Sequence, residues 1–446
     1  MKLRVRRVVT PFARPLCLGL LGLLGLLFAA ACGPKPPART ALIGNLAELK
    51  RDIASAQQAG KLDRDAVVQL SQAVGERELT SAEGRGGASR VRSLRSCARP
   101  LRGAMERRAR AEDEVAAELT LILLEMHALE RPALLSRYVR AEQGTWRAVA
   151  ARAAVRSFDT DVRKAYFVDP DQRVRRAAFA SALEAHEPAE LEALLEAARV
   201  DPDPQAQSAA VRAVGSIGSE RAVLALKDLW SRADDTLRIA IVDAWSAPAS
   251  FETGGARELA LAAESGSGLA AVSASYALAR SSGAEAVAAN ARLRRNIADG
   301  SDDEKRLALS VAPLNAETEI AIAQAGKEAS PELRVVALTR LVGVDARRAE
   351  ALRGLREIVA LKAGSESEQR ARAEAISALA SAGDTSVHAT LLKNVQDKDL
   401  STRARAARGL TNLGDYSNAA TALADDDANL RSEIACSVLA RETTQR

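Results

Sequence analysis

A chain of 446 residues that is 47% hydrophobic but only 3% aromatic holds enough apolar material for a large core, built mostly without rings. Its 63 Lys and Arg outnumber 58 Asp and Glu, but Lys2, Arg4, Arg6, Arg7 and Arg14 all precede residue 32 and no acid does, so the rest of the chain is balanced. A neutral balance excludes the general positive field that gathers phosphate around a nucleic-acid-binding domain, and no nucleic acid is expected as a partner.

Residues 1–31 read as an export signal: those five cations flank the start of an uncharged run from Leu16 to Ala31, which ends in small residues. The run is sixteen residues long, short of the roughly 20 that cross a bilayer as a helix, so cleavage is expected rather than a permanent span. Ala30-Ala31-Cys32 resembles a bacterial lipobox, with Ala29 standing where that signal prefers Leu. The resemblance implies a lipid attached to the thiol of Cys32 and acyl chains such as palmitate. Gly33 after the cysteine resembles the outer-membrane sorting pattern of Gram-negative lipoproteins. Ordinary cleavage after Ala31 is the competing reading, and the Arg6-Arg7 pair leaves a twin-arginine route open.

Residues 32–40 follow as a tether. Pro34, Pro36 and Pro37 remove backbone donors and fix φ, so this stretch is expected to be extended, with a reach of about 25 Å. Residues 41–130 form a helical adaptor. Leu42, Leu46, Leu49 and Ile53 mark one amphipathic helix and Val67, Val68, Leu70 and Val74 another; Gly84 to Gly87 break the run, and a longer helix follows Pro100 and carries Val115 to Leu124.

From residue 131 to 446 a fragment recurs in which acidic or Pro residues open a turn and an Arg-bearing, Ala-rich helix follows. Asp169-Pro170-Asp171 precedes Val174-Arg175, and Asp201-Pro202-Asp203-Pro204 follows 32 residues later. Weaker echoes start at Asp234, Asp302, Ser330, Asp399 and Asp427. Gly218-Ser219, Gly383-Asp384 and Gly414-Asp415 punctuate the units, glycine closing one helix and the next residue capping another. A period near 30 residues holds two short helices, and such a hairpin buries enough surface only by stacking on its neighbours. These landmarks resemble HEAT repeats of the short type found in bilin-lyase-like proteins. The resemblance implies an all-α fold, an α-solenoid of about nine HEAT-like helical hairpins preceded by the adaptor. Pro248 to Gly255 and Pro313-Leu314-Asn315 depart from the pattern.

Chemistry is sparse. His127, His186 and His388 lie far apart with no ligand spacing around them, so they are expected to be partly exposed helix residues; no catalytic, metal or cofactor site is assigned. Cys97 and Cys436 sit at opposite ends of an elongated stack, so burial as separate small hydrophobes is expected rather than a disulfide, which needs Cα atoms within about 7 Å. The Arg-rich stretch from Arg85 to Arg110 offers Arg92, Arg95 and Arg99 to anionic lipid headgroups, with pairing to Glu112–Glu118 as the alternative. Aromatics cluster in the first repeats, where Trp146, Tyr166, Trp230, Trp245 and Tyr276 are candidate partner-binding anchors, with core packing as the alternative. Together these features point to a lipid-anchored envelope scaffold, on the outer membrane facing the periplasm, that binds an unidentified envelope protein. A lyase-like accessory factor and an envelope component that self-associates through its ends are the rivals.

Overall fold

The computed structural model describes residues 36–362 and 364–445; the expected export signal and the expected lipid site, Cys32, lie outside the described residues. Six helices come first: α1 (Pro37–Ile43), α2 (Leu46–Gln58), α3 (Arg64–Thr80), α4 (Gly84–Ser93), α5 (Ala98–Arg108) and α6 (Glu114–Glu125). The tether is therefore shorter than expected. Pro37 occupies the first turn of α1, where its missing N–H costs nothing, and burial of Thr40 and Ala41 holds the helix in place. The single helix expected after Pro100 is two, because residues 109–113 turn and Asp113 caps α6 by accepting the Ala116 N–H at 2.8 Å.

Helix pairs then follow in chain order: α7 (Arg131–Tyr138) with α8 (Gly144–Ala153), α9 (Thr160–Phe167) with α10 (Gln172–Ala185), α11 (Leu191–Val200) with α12 (Pro204–Ile217), and α13 (Glu220–Trp230) with α14 (Asp235–Trp245). Next come α15 (Ala256–Ser265) with α16 (Gly268–Ala279), α17 (Ala284–Asp299) with α18 (Asp302–Val311), and α19 (Ala316–Glu328) with α20 (Pro331–Leu341). The last are α21 (Asp345–Ala360) with α22 (Glu366–Ser381), α23 (His388–Asn394) with α24 (Leu400–Leu413), and α25 (Tyr416–Ala419) with α26 (Ala428–Gln445). No strand occurs among the described residues. The sequence landmarks fall at the helix ends: Asp171, Asp203, Asp234 and Asp399 cap even-numbered helices, and Gly218 closes α12 at φ 65° before Ser219 caps α13. Of the two irregular stretches, Pro248–Gly255 forms two short helical turns, while Asn315 simply caps α19.

The even-numbered helices pack directly on one another from α4 and α6 through α24 to α26, whereas most odd-numbered ones touch their counterparts much less. With similar numbers of helices in the two rows, the more crowded row has the shorter path and lies on the inner side of the curve. Small residues make that crowding possible: a Cβ on Gly215 of α12 would meet the Ala244 Cα of α14 at 2.5 Å.

The stack does not end. Helix α26 packs along α3 and against α4, returning the last repeat to the first helices. One apolar cluster contains Ala41, Leu49, Val67 and Val74 together with residues from Val272 to Val438, and a second joins Leu79–Leu123 to Cys436 and Leu439. Two further clusters continue through α6, α8 and the repeats to Ala289, so the core runs as a closed circuit. The expectation of an elongated stack with Cys97 and Cys436 at opposite ends is corrected here. Their Cα atoms are 5.1 Å apart, and the two form a disulfide across 339 residues of chain. Spacing along the sequence could not show this, because the curvature of the stack, not the number of repeats, decides which layers meet.

Leu226 of α13 is fully buried, and Leu226→Ala should lower unfolding free energy by about 2–5 kcal/mol in a urea titration. Replacing both cysteines by serine should cost up to ~5 kcal/mol, because the long loop loses its covalent closure, and reduced wild-type protein should unfold at the same denaturant midpoint as the double variant.

Candidate functional site

The inter-repeat turns have a common construction that explains the Asp-x-Asp and Val-Arg landmarks. Asp169 accepts the Asp171 N–H at 2.8 Å, while Asp171 caps α10. Arg147 of the preceding repeat reaches Asp169 through two hydrogen bonds of 2.9 and 3.0 Å. One layer on, Arg175 makes two 2.8 Å bonds to Asp201 and donates to the Asp169 carbonyl at 2.9 Å. Arg403 repeats the arrangement with Asp425, at 2.9 and 3.2 Å. The planar guanidinium suits this role because one fork binds the next repeat's carboxylate and the remaining donors satisfy carbonyls of its own turn.

Arg431 is the last of these arginines among the described residues. Its Nη1 still donates to the Asp425 and Asp426 carbonyls at 2.7 and 3.1 Å, while its Nε turns to Glu78 of α3 at 2.8 Å. Glu78 is 1% exposed and also receives Arg90 at 3.0 Å. The adaptor thus supplies the acid that an additional repeat would have supplied. Lys50–Asp426 and Gln57–Asn418, at 2.6 and 2.8 Å, add polar contacts across the same junction.

Sequence-predicted residues are placed unevenly. Trp146, Tyr166 and Trp245 are 6%, 6% and 1% exposed, so these three are core residues and not partner anchors. Trp146 stacks on Tyr138, and the Tyr166 hydroxyl donates to the Val139 carbonyl, with burial pushing its phenol up to about 12. The clustering that suggested an interface reflects bulkier layers in the first repeats. Trp230 and Tyr276 remain partly exposed, each beneath an arginine, Arg238 and Arg280. Arg92 and Arg95 pair with Glu118 and Glu125 of α6, at 3.5 and 2.5 Å, which spends their charge within the fold. Arg99 is exposed without an ion pair among the described residues. His127 and His186 are not ordinary helix residues: both have φ near 54°, the left-handed conformation that closes a helix. His388 lies 2.7 Å from Asp415.

Two crevices were not foreseen. The first, of 730 Å³, lies between α22, α23 and α24 and contains Arg372, Lys393 and Arg405 with Asp397 as its acid. The second, of 690 Å³, crosses α18, α20, α22 and α24 and has Val335, Val336 and Val342 in its wall, with Arg340 and Arg348. They meet at Ser377 and Arg405. Arg372 and Arg405 are one repeat apart, which is the only sequence signal pointing to them. Among the described residues no group of His, Cys, Asp or Glu could hold a metal ion.

Electrostatics of the turns set a pH dependence. Hydrogen bonds from Arg108, Arg173 and Arg176 hold Asp113, Asp171 and Asp203 below the ordinary carboxylate range. A depressed folded-state value contributes stability that is complete above the unfolded value near ~4 and is lost as pH falls through the folded value. Urea midpoints should therefore drop as pH falls below about 4, and the drop should be smaller for Asp203→Asn.

Comparison with known proteins agrees with this architecture. A family model of HEAT repeats matches residues 160–246, the stretch with the clearest Asp-Pro-Asp turns. Among solved structures, an engineered protein from the Northeast Structural Genomics Consortium is 17% identical, with 79% of this chain and 99% of that chain covered. Its TM-score is 0.27. No curated protein matches the chain. The chain is therefore an all-α helical repeat protein, and its residues 160–246 are similar to HEAT repeats.

Proposed function

We propose that this protein is an exported, lipid-anchored scaffold of the bacterial envelope that binds another protein on its HEAT-like surface. The observation that carries the reading is the buried Cys97–Cys436 disulfide at the junction of the ring. Disulfides of this kind persist in oxidising compartments such as the periplasm and are rare in the cytosol, which agrees with the export signal and lipobox-like Cys32.

Closure also bears on how such a scaffold works. An open solenoid can flex along its length, whereas a ring in which α26 is sealed onto α3 and α4 can change curvature only by straining every layer. Partner binding then uses a preformed surface and loses little to ordering. Self-association through the ends is disfavoured, since α26 and α3 cover each other. Membrane attachment falls to the lipid on Cys32, because Arg92 and Arg95 are already paired.

Mass spectrometry of the mature protein from a Gram-negative host should show an N-terminal Cys32 carrying diacylglycerol and fatty acyl groups, and Cys32→Ser should release the chain from membranes. An unmodified terminus would overturn the anchor. Crosslinking in the native envelope should capture another protein in wild type; recovery of the uncrosslinked chain alone would overturn the scaffold.

A further inference from the structure

The scaffold reading leaves open what kind of partner the ring accepts, and the charge distribution narrows it. In the later repeats several arginines are spent on acids of a neighbouring element: Arg347 on Glu319, Arg356 on Asp384, Arg403 on Asp425 and Arg408 on Glu433. Arg372, Lys393 and Arg405 break this habit. They converge on one crevice, and none of them makes an ion pair or side-chain hydrogen bond among the described residues. The acid in that crevice, Asp397, already accepts the Asp399 N–H.

The adjoining crevice has the same bias. Arg340 donates to the Ala312 carbonyl, and Arg348 donates to the Val342 and Ala382 carbonyls at 3.1 and 2.9 Å. Carbonyls satisfy donors without cancelling charge, so both guanidinium groups still project a positive field, opposed in the crevice lining by Glu374. Beside them Val335, Val336 and Ala378 provide an aliphatic wall.

We propose that the joined crevices bind an extended acidic segment of a protein partner, with aliphatic side chains between its carboxylates. This deepens the scaffold reading and rests on it. The surface crosses four even-numbered helices, and at interaxial spacings of 8–10 Å it spans roughly 30 Å, the length of about nine extended residues. No aromatic side chain lines either crevice, so bases and sugar rings would find no stacking platform, whereas Leu or Val of a peptide would find aliphatic contacts. Arg and Lys at separated points match carboxylates alternating along a strand better than one compact anion.

The test uses the full mature chain in zwitterionic detergent and a fluorescein-labelled ten-residue peptide of alternating Glu and Leu, followed by anisotropy. Saturable binding is expected, weakening about tenfold or more between low and physiological salt. Arg372→Glu with Arg405→Glu should weaken it by a further factor of about ten, while Arg85→Glu with Arg110→Glu, on an exposed stretch elsewhere, should leave it unchanged. Arg372→Gln with Arg405→Gln serves as the second pair if charge reversal lowers thermal stability. The proposal is overturned by absence of binding up to about 1 mM peptide, by equal binding of the Gln-for-Glu peptide, by tighter binding of oligo-dT, or by insensitivity to both pairs. Envelope crosslinking of the same variants separates the two readings. Retained capture of a partner alongside failed peptide binding removes the acidic-segment proposal and leaves the scaffold standing.

Discussion

Every layer of a helical-hairpin stack has two faces to cover, and the terminal layers of an open stack have only water for one of them. Here α26 covers α3 and α4, and the apolar core passes from the last repeat into the first helices without a break. That contact makes residues 41–130 part of the ring, where they close the gap between last and first repeats. It also removes the need for a polar outer face on a capping repeat, the usual solution to exposed ends.

Apolar packing alone would tolerate sliding between layers, since alanine-rich surfaces are nearly featureless. The arginine between successive turns supplies register. Arg147, Arg175 and Arg403 each hold the next repeat's aspartate while anchoring their own turn through carbonyl groups, so layers docked out of step would strand charged groups in a half-buried setting. At the junction Glu78 takes the place of that aspartate for Arg431, and the disulfide at Cys436, further along α26, makes the pairing covalent. A fully buried pair, Arg163 with Glu190, fixes the outer row in the same way, with burial raising the Glu190 carboxyl against the pull of Arg163.

The distribution of unspent charge follows from this construction. Where acids stand at the turns, cations pair with them; where α22, α23 and α24 leave a crevice, three cations converge without an ion pair among the described residues. The first repeats use their aromatic residues internally, as the stacking of Phe167 on Phe179 and the contact between Trp230 and Trp245 illustrate. Bulk in these layers and charge in the later ones are thus separate features of a single ring.

Local chemistry was legible in the chain itself. Asp171, Asp203, Ser219 and Asp399 cap helices because a side-chain oxygen three residues or fewer before a free amide needs no distant partner, and Gly218 closes α12 for an equally local reason. Helix existence, the hairpin period and burial of Leu226 follow from the same short-range pattern. Tertiary structure decided what lies inside and what meets: Trp146, Tyr166 and Trp245 point into the core, Arg92 and Arg95 find acids on α6, and Cys97 reaches Cys436. These depend on the small rotation between successive layers, which adds up over the whole stack. No single repeat's sequence encodes that sum, so a chain that reads as an open coil closes into a ring.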